Sequence, residues 1–503
     1  MGAPDGSPGA EPLRLALSET GALGATVRQL ASRLAVPTDR VERALDRLER
    51  GGDVLRLGRG LYVLRAFERL HERDDFVDPA TYVDRFRDED GIALGRVDGP
   101  ITFRANDELP VHRWWPYVQG YSAEFVAATI AAAGLGRGAT VLDPFAGSGT
   151  TLVEARRAGA RALGTELLRP AVLAARVKTR FELDPRALGA AAEALVRRAA
   201  RASHGELPFL RETRRQFSAA ALDELTRLRE ALPPEGNAIA DGLRLAFGKI
   251  LIPSSRLHRS PCLGYARRPA PDGPGPIDRF RAAIATMQDD LAGLGETRGR
   301  WGPAATIGAE DARTARWRRG SVDLAVTSPP YVNGMDYVMN YKLDLAWLGY
   351  VRSYAELAAL RAAEVACDNL PRAETAPYLG VERTPDPWLD EILPRIRANV
   401  RRKGSYRRAD MHAVVHRYFA DLVPVLRRVH DALAPGGTFL LVVGDSLLAG
   451  EYVPGDLLVA RIGSRLGFRI RSVAVARPRR SGQRRSFSLR ESVVTLERAR
   501  GVG

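Results

Sequence analysis

The stretch VLDPFAGSGTT, from Val141 to Thr151, limits what this chain can fold into more than any other. Val141 and Leu142 are buried-strand residues, and TLVEARRAGA resumes helical periodicity after Gly149, so the glycines occupy a turn between a strand and a helix. Gly147 and Gly149 have access to dihedrals closed to other residues and let a ligand lie against the backbone. The helix that follows offers unpaired N–H groups in its first turn. Such a turn makes a nucleotide-type pocket, but not one for pyrophosphate. Asp143 would repel a phosphate and no Gly-Lys-Ser/Thr follows, which disfavours a nicotinamide dinucleotide.

A second stretch, DLAVTSPPYVNGMDY from Asp323 to Tyr337, has to meet the first in space. Its strand, Leu324 to Val326, ends in a polar turn that Pro329 and Pro330 stiffen and Tyr331 closes, a pincer for a flat polar ring. DPFAGSGT and TSPPY resemble the cofactor and catalytic motifs of amino-group DNA methyltransferases, which move a methyl group from S-adenosylmethionine to an exocyclic base nitrogen. The resemblance covers roughly residues 111–178 and 305–500. It implies an α/β fold with a doubly wound, mostly parallel, Rossmann-like sheet that ends in antiparallel strands.

Composition agrees with that class. A chain of 503 residues is too long for one ordinary core and predicts two or three domains. A net charge of +15 favours a polyanionic partner, here double-stranded DNA. Cys262 and Cys367 are too few and too isolated for a zinc cluster or a disulfide scaffold, so a reducing interior and no metal are expected. The first residues lack the basic-then-apolar run of an export signal, and no stretch reaches membrane-spanning length. The expected location is cytoplasmic, on DNA, with no membrane partner.

Residues 1–10, rich in Gly and Pro, read as a disordered tail. Within 11–66, LRLALSET, TVRQLASRLAV and TDRVERALDRLERGG are three helices, the last with Thr38 or Asp39 as N-cap and Gly51 and Gly52 as its stop. DVLRLGRGLYVL alternates about Gly58 and Arg59 and predicts a hairpin with Arg56 and Arg59 outward. This order resembles a winged helix-turn-helix, which places Arg40, Arg43, Arg47 and Arg59 against DNA. The same pattern also serves dimerisation domains, and Glu42, Asp46 and Glu49 dilute the positive field. Oligomeric state is left open. Residues 67–110, with many acids, read as a linker or small packing unit.

The cofactor-binding half spans 111–180. The aromatic cluster of PVHRWWPYVQGYSAEFV, with Ser122 capping a helix, resembles the family segment that closes over the methionine end of the cofactor, which makes Tyr117, Gln119, Tyr121 and Ser122 candidates. Trp114, Trp115 and Tyr117 equally suit core packing. The resemblance assigns Asp143, Phe145, Gly147 and Gly149 to the cofactor. Glu166 ends the next strand about twenty residues on, the position from which an acid accepts hydrogen bonds from ribose hydroxyls, or caps the following helix. The family's acid toward the adenine amino group falls at Asp311, in AEDA rather than GDA, with Glu310 as its competitor.

Methylating an exocyclic amine needs no covalent nucleophile, and neither cysteine lies in a Pro-Cys turn, so carbon-5 chemistry is disfavoured. The amine needs acceptors for its hydrogens while its lone pair is localised. Ser328 Oγ and the Pro329 carbonyl supply two in a rigid frame, Pro330 holds the turn, and Tyr331 stacks on a flipped base. Serine in the first position resembles the cytosine-N4 members more than the adenine-N6 members. The glycine motif precedes the SPPY turn here, the reverse of many SPPY relatives, which keeps adenine N6 and guanine N2 of RNA open beside a non-catalytic DNA-binding regulator. NGMDYVMNYKLDLAWLGY resembles the family's continuation into a helix, which implies that Tyr337, Tyr341, Leu345, Trp347 and Leu348 pack the floor of the site, with Asn333 and Asp336 expected to touch the base or cap that helix.

Residues 181–304 read as a helical and basic insertion suited to target recognition, with Lys249, Arg256, His258, Arg259, Arg267 and Arg268 as phosphate contacts. The catalytic half, 305–503, carries a second basic insertion around 391–410, with Arg401, Arg402, Lys403 and Arg407. Either could equally be a solvated surface. No nuclease is evident in the chain, so any restriction endonuclease partner would be separate.

Overall fold

The computed structural model describes residues 8–20, 25–57, 61–65, 77–97, 103–203, 205–259, 262–266, 273–367, 370–380, 383–403, 408–480 and 488–500. Its first unit holds helices Ala10–Thr20, Val27–Leu34 and Thr38–Arg50 with strands β1 (Ala25–Thr26), β2 (Val54–Leu57) and β3 (Leu61–Leu64). Thr26 opens the second helix through a capping box with Gln29. β2 and β3 form the expected hairpin, and β1 adds a third, antiparallel strand to β3. Leu13, Leu30, Val41, Leu45, Leu48 and Tyr62 fill a core of their own. The third helix departs from expectation at its start, where Pro37 is the N-cap and no side chain caps it, so Thr38 and Asp39 lie inside the helix. Gly51 ends it as predicted. The hairpin tip with Arg59 and residues 1–7 of the tail fall outside the described residues.

The remaining strands are β4 (Leu94–Arg96), β5 (Thr140–Asp143), β6 (Arg161–Glu166), β7 (Leu257–Arg259), β8 (Leu263–Tyr265), β9 (Thr306–Ala309), β10 (Val322–Thr327), β11 (Leu433–Gly444), β12 (Ser446–Leu448), β13 (Glu451–Val453), β14 (Phe468–Arg480) and β15 (Ser488–Arg498). Eight of them form one sheet in the order β4-β14-β15-β11-β10-β5-β6-β9. The run from β11 to β9 is parallel, and β15 lies antiparallel between β11 and β14. Covered on both faces, the middle strands have to be apolar throughout, and Val141, Leu142, Leu324, Ala325 and Val326 are all fully buried.

Residues 77–97 belong to this sheet unit rather than to a linker. Helix Pro79–Asp90 buries Tyr82 and Phe86 in the main core, and β4 pairs in parallel with β14. Between β6 and β9, helices Pro185–Arg201, Ala219–Ala231, Ala238–Leu251 and Pro276–Gly293 pack around a second core with Leu188, Leu225, Phe247 and Leu291. Trp347 and Leu345, from beyond the catalytic turn, are part of that core, so the insertion is built into the unit. Among the described residues no helix is long and apolar enough to cross a membrane.

From β5 the chain steps outward to β6 and then β9 on one side, and later to β10 and β11 on the other. Connections therefore leave the ends of β5 and β10 in opposite directions and open a crevice there, the usual place for a ligand in such a sheet. The glycine turn sits at that point. Gly149 has φ +87°, and a Cβ on it would stand 2.8 Å from the Cα and Cβ of Ala175 on the neighbouring helix. Gly149→Ala should lower stability by about 2–4 kcal/mol, since strain and overpacking combine. Urea titration checks this, and a loss below about 0.5 kcal/mol would contradict it.

Candidate active site

A cleft lies at the carboxyl ends of β5, β6, β9 and β10. Its lining draws on every segment expected to meet: Tyr117 and Gln119 to Tyr121, Pro144 to Ser148 with Thr150, Glu166 to Leu168, Glu310 to Ala312, Ser328 and Pro330. Glu166, Glu310, Asp311 and Glu364 give the wall four carboxyl groups, and among the described residues the lining contains no lysine, arginine or histidine.

Asp143 ends β5 fully buried beneath this wall and does not line it. Its carboxylate accepts hydrogen bonds from the Phe145 N–H at 3.0 Å, the Thr327 hydroxyl at 2.7 Å and the Tyr121 hydroxyl at 2.5 Å. The same Tyr121 oxygen meets Thr151 Oγ1. Burial raises the Asp143 carboxyl above its ordinary range, while the bonds from Tyr121 and Thr327 pull it down. The residue is thus spent on joining the glycine turn, the end of β10 and the segment before helix Ala123–Ala132.

Glu166 does face the cleft. Its Oε2 accepts from the Gly147 N–H at 2.9 Å and its Oε1 from the Leu168 N–H at 2.8 Å, so it both shapes the glycine turn and opens the next helix. Burial pushes this carboxyl up to about 7 against those two backbone bonds. Gly147, at φ +49°, brings the turn against the Tyr117 ring, where a Cβ would lie 2.8 Å from a ring carbon. Tyr117 stacks in turn on Tyr337 and Tyr341, with centroids 6.1 and 5.7 Å apart. Phe145 lines the cleft beside it.

Two assignments change. Ser122 is buried away from the cleft and caps helix Ala123–Ala132 by accepting from the Phe125 N–H at 3.1 Å. Asp311 reaches the cleft, but Arg313 holds its carboxylate with Nη2 at 2.7 Å and Nε at 3.0 Å, while Glu310 stays exposed. Trp114 and Trp115 are core residues, as the packing alternative had it.

The turn after β10 presents Ser328 and Pro330 to the cleft, with Pro329 buried between them. Tyr331 turns the other way. Its ring is buried, its hydroxyl donates to Glu491 Oε1 at 2.8 Å, and the Arg479 guanidinium lies over its face at 5.2 Å. Asp336 caps the next helix by accepting from the Met339 N–H at 2.8 Å. Sequence reasoning missed Glu364, whose Oε1 accepts from the Val338 N–H at 3.0 Å and which burial holds well above the carboxylate range. Nothing in its sequence neighbourhood marks it. Glu491 and Arg479 were missed as well, although an acid inside the apolar run of β15 was a visible signal.

The basic segments divide. Lys249 is largely buried and donates to the Arg113 carbonyl at 2.8 Å, and Arg259 pairs with Asp344 under the Tyr341 ring, so both hold the structure together rather than meet phosphate. Arg256 and His258 are exposed. Arg267, Arg268, Arg407 and the side chains of 401–403 fall outside the described residues. Helix Pro387–Lys403 anchors its start through the buried Trp388 and Ile392.

The sheet order with its antiparallel ending, and a carboxyl-lined cleft where the connections diverge, define a Rossmann-like α/β fold of the kind found in methyltransferases. The family described as DNA methylase, covering the N6 and N4 enzymes, matches residues 124–175. The type II methyltransferase M.BsoBI of Geobacillus stearothermophilus is 22% identical over 449 residues, 79% of this chain and 87% of that protein. The type II methyltransferase M.AvaI of Nostoc sp. is 23% identical over 431 residues, 78% and 86% of the two chains. A solved S-adenosylmethionine-dependent methyltransferase from Methanosarcina mazei aligns at 10% identity over 74% of this chain and 97% of that one, with a TM-score of 0.26. The family match and both type II relatives point to the same kind of protein, an amino-methyltransferase.

The Glu166 carboxyl gives this site a pH signature. Burial pushes it up to about 7, and ribose hydroxyls donating to its ionised form would make cofactor binding release a proton. Affinity for S-adenosylmethionine should therefore rise as pH goes from about 6 to about 8, and Glu166→Gln should flatten the rise. Glu166→Ala should weaken binding by about 1–3 kcal/mol. Calorimetry reads both, and equal affinity for wild type across that range would contradict the assignment.

Proposed function

We propose that this chain transfers a methyl group from S-adenosylmethionine to the exocyclic amino group of a flipped base in double-stranded DNA, with cytosine N4 as the target atom. The observation that carries the proposal is a cleft walled by four carboxyl groups, free of basic side chains, with the Ser-Pro-Pro turn at one end. When bound, S-adenosylmethionine supplies an electrophilic methyl group on a cationic sulfonium. Glu166 when ionised, with the exposed Glu310, favours a cation there over a polyphosphate, while Arg313 neutralises Asp311 and burial raises Glu364. Glu166 suits the ribose hydroxyls, and the glycine turn, brought close to Tyr117, suits the rest of the nucleoside cofactor.

Ser328 Oγ and the Pro329 carbonyl are the acceptors for the amine hydrogens. By holding both, they orient the nitrogen lone pair toward the cleft, where an N–C bond would form as the sulfonium S–C bond breaks and the neutral thioether S-adenosylhomocysteine departs, and the amine proton would pass to solvent along one of these bonds. The short serine side chain in a rigid turn supports the smaller pyrimidine ring over a purine. Ser328→Ala should lower the rate of transfer by about tenfold to a hundredfold while leaving cofactor affinity within twofold. Mass spectrometry of nucleosides from incubated DNA and RNA reads the target. N4-methyldeoxycytidine supports the proposal, N6-methyldeoxyadenosine overturns the base, methylguanosine in RNA overturns the substrate, and no methylated product overturns the enzyme.

The N-terminal unit supports DNA binding through its third helix, where Arg40, Arg43 and Arg47 are exposed on one element. Neutralising all three should weaken DNA binding, flatten its salt dependence and leave cofactor affinity unchanged. DNA affinity equal to wild type in a fluorescence titration would assign the unit to assembly instead.

A further inference from the structure

On the side of the catalytic turn away from the cofactor cleft, a guanidinium sits where a base would be expected. Arg479, near the end of β14, lays its planar head over the buried Tyr331 ring at 5.2 Å. Its Nη1 is shielded from solvent and, among the described residues, has no hydrogen-bond acceptor. Leaving a charged N–H donor buried and unmet costs several times what a surface donor costs, so an orphan of this kind calls for an explanation.

The surroundings are built to keep it there. Tyr331 cannot turn away, because its hydroxyl is tied to Glu491, which also pairs with Arg477. Gly444, the last residue of β11, makes the space. A Cβ at that position would stand 2.2 Å from Arg479 Nη1 and 3.1 Å from the Tyr331 ring. Aromatic floor, glycine wall and unpaired planar donor thus come from three different strands or turns and converge beside Ser328.

We infer that Arg479 is a specificity-determining residue that receives the ring edge of the target base next to the amino group held by Ser328 and Pro329. This rests on the proposed amino-group transfer to DNA. The chemistry of the bases narrows what such a donor accepts. In cytosine the amino group is followed along the same edge by N3 and O2, two acceptors that match a guanidinium fork. Adenine offers one acceptor, N1, followed by a C–H. Guanine presents its N1–H, a donor, beside the N2 amine and would set donor against donor. Arginine therefore favours cytosine, whose amino group is followed by two acceptors, over adenine and over guanine, which offers only N3 on the other side of its amine. It holds the base and does not take part in the proton transfer.

The test compares wild type, Arg479→Ala, Arg479→Lys and Gly444→Ala as full chains, with unmethylated genomic DNA and labelled S-adenosylmethionine. Calorimetric binding of S-adenosylmethionine within twofold of wild type shows that a variant retains its cofactor site. Arg479→Ala is expected to lower kcat/KM for DNA at least tenfold and to raise the share of methylated adenine relative to cytosine. Lysine, which keeps the charge but not the fork, should recover less than half of the loss. Gly444→Ala, which keeps Arg479 but displaces it, should reproduce the defect. Wild type active, with both Arg479→Ala and Gly444→Ala at wild-type kcat/KM and product ratio, overturns the inference alone. Wild type with no transfer to DNA overturns the proposed function and this inference with it.

Discussion

The buried carboxylate of Asp143 is the fixed point of the molecule. It takes hydrogen bonds from the glycine turn through Phe145, from the end of the catalytic strand through Thr327, and from the segment ahead of helix Ala123–Ala132 through Tyr121. Those three stretches are far apart in the chain, and a buried carboxylate has to find donors wherever it is placed. Ser328 follows Thr327 directly, and Gln119 and Gly120 precede Tyr121, so the catalytic turn and the cleft wall inherit their positions from one oxygen pair. Asp143 lies beneath the cleft lining and ties these stretches together.

Charge is sorted by location. The chain is strongly basic, yet the cleft wall is acidic and excludes arginine and lysine. Many of the arginines are consumed inside the fold. Arg461 joins Asp386, Glu89 and Asp90, which fastens helix Pro79–Asp90 to the sheet unit, and Arg490 holds the buried Asp445 and Asp456 together at the far end of β11. Net charge alone therefore overstates how much basic surface is left for a nucleic acid. The pair Asp445 and Asp456 shows the cost of such burial, since their mutual repulsion and desolvation hold Asp445 well above the carboxylate range while Arg490 keeps Asp456 ionised.

Much of this was legible in the sequence. The strand–turn–helix of Val141 to Thr151, Glu166 at its strand end and the two antiparallel last strands follow from periodicity and glycine placement, which are local properties. The small unit before residue 65 was legible for the same reason. What was not legible depends on contacts between distant segments. Nothing near Asp143 says that Tyr121 and Thr327 will occupy its oxygens, and Tyr331 turns from the cleft only because Glu491 and Arg479 arrive from the last two strands. Lys249 and Arg259 likewise read as phosphate contacts until their carbonyl and carboxylate partners are seen.

A crystal structure with S-adenosylhomocysteine would test the role of Asp143 most directly. The account predicts the ribose within hydrogen-bond distance of Glu166, and Asp143 still bound to Tyr121, Thr327 and Phe145 with no contact to the ligand. Asp143 released from Tyr121 and bonded to the ligand would contradict it.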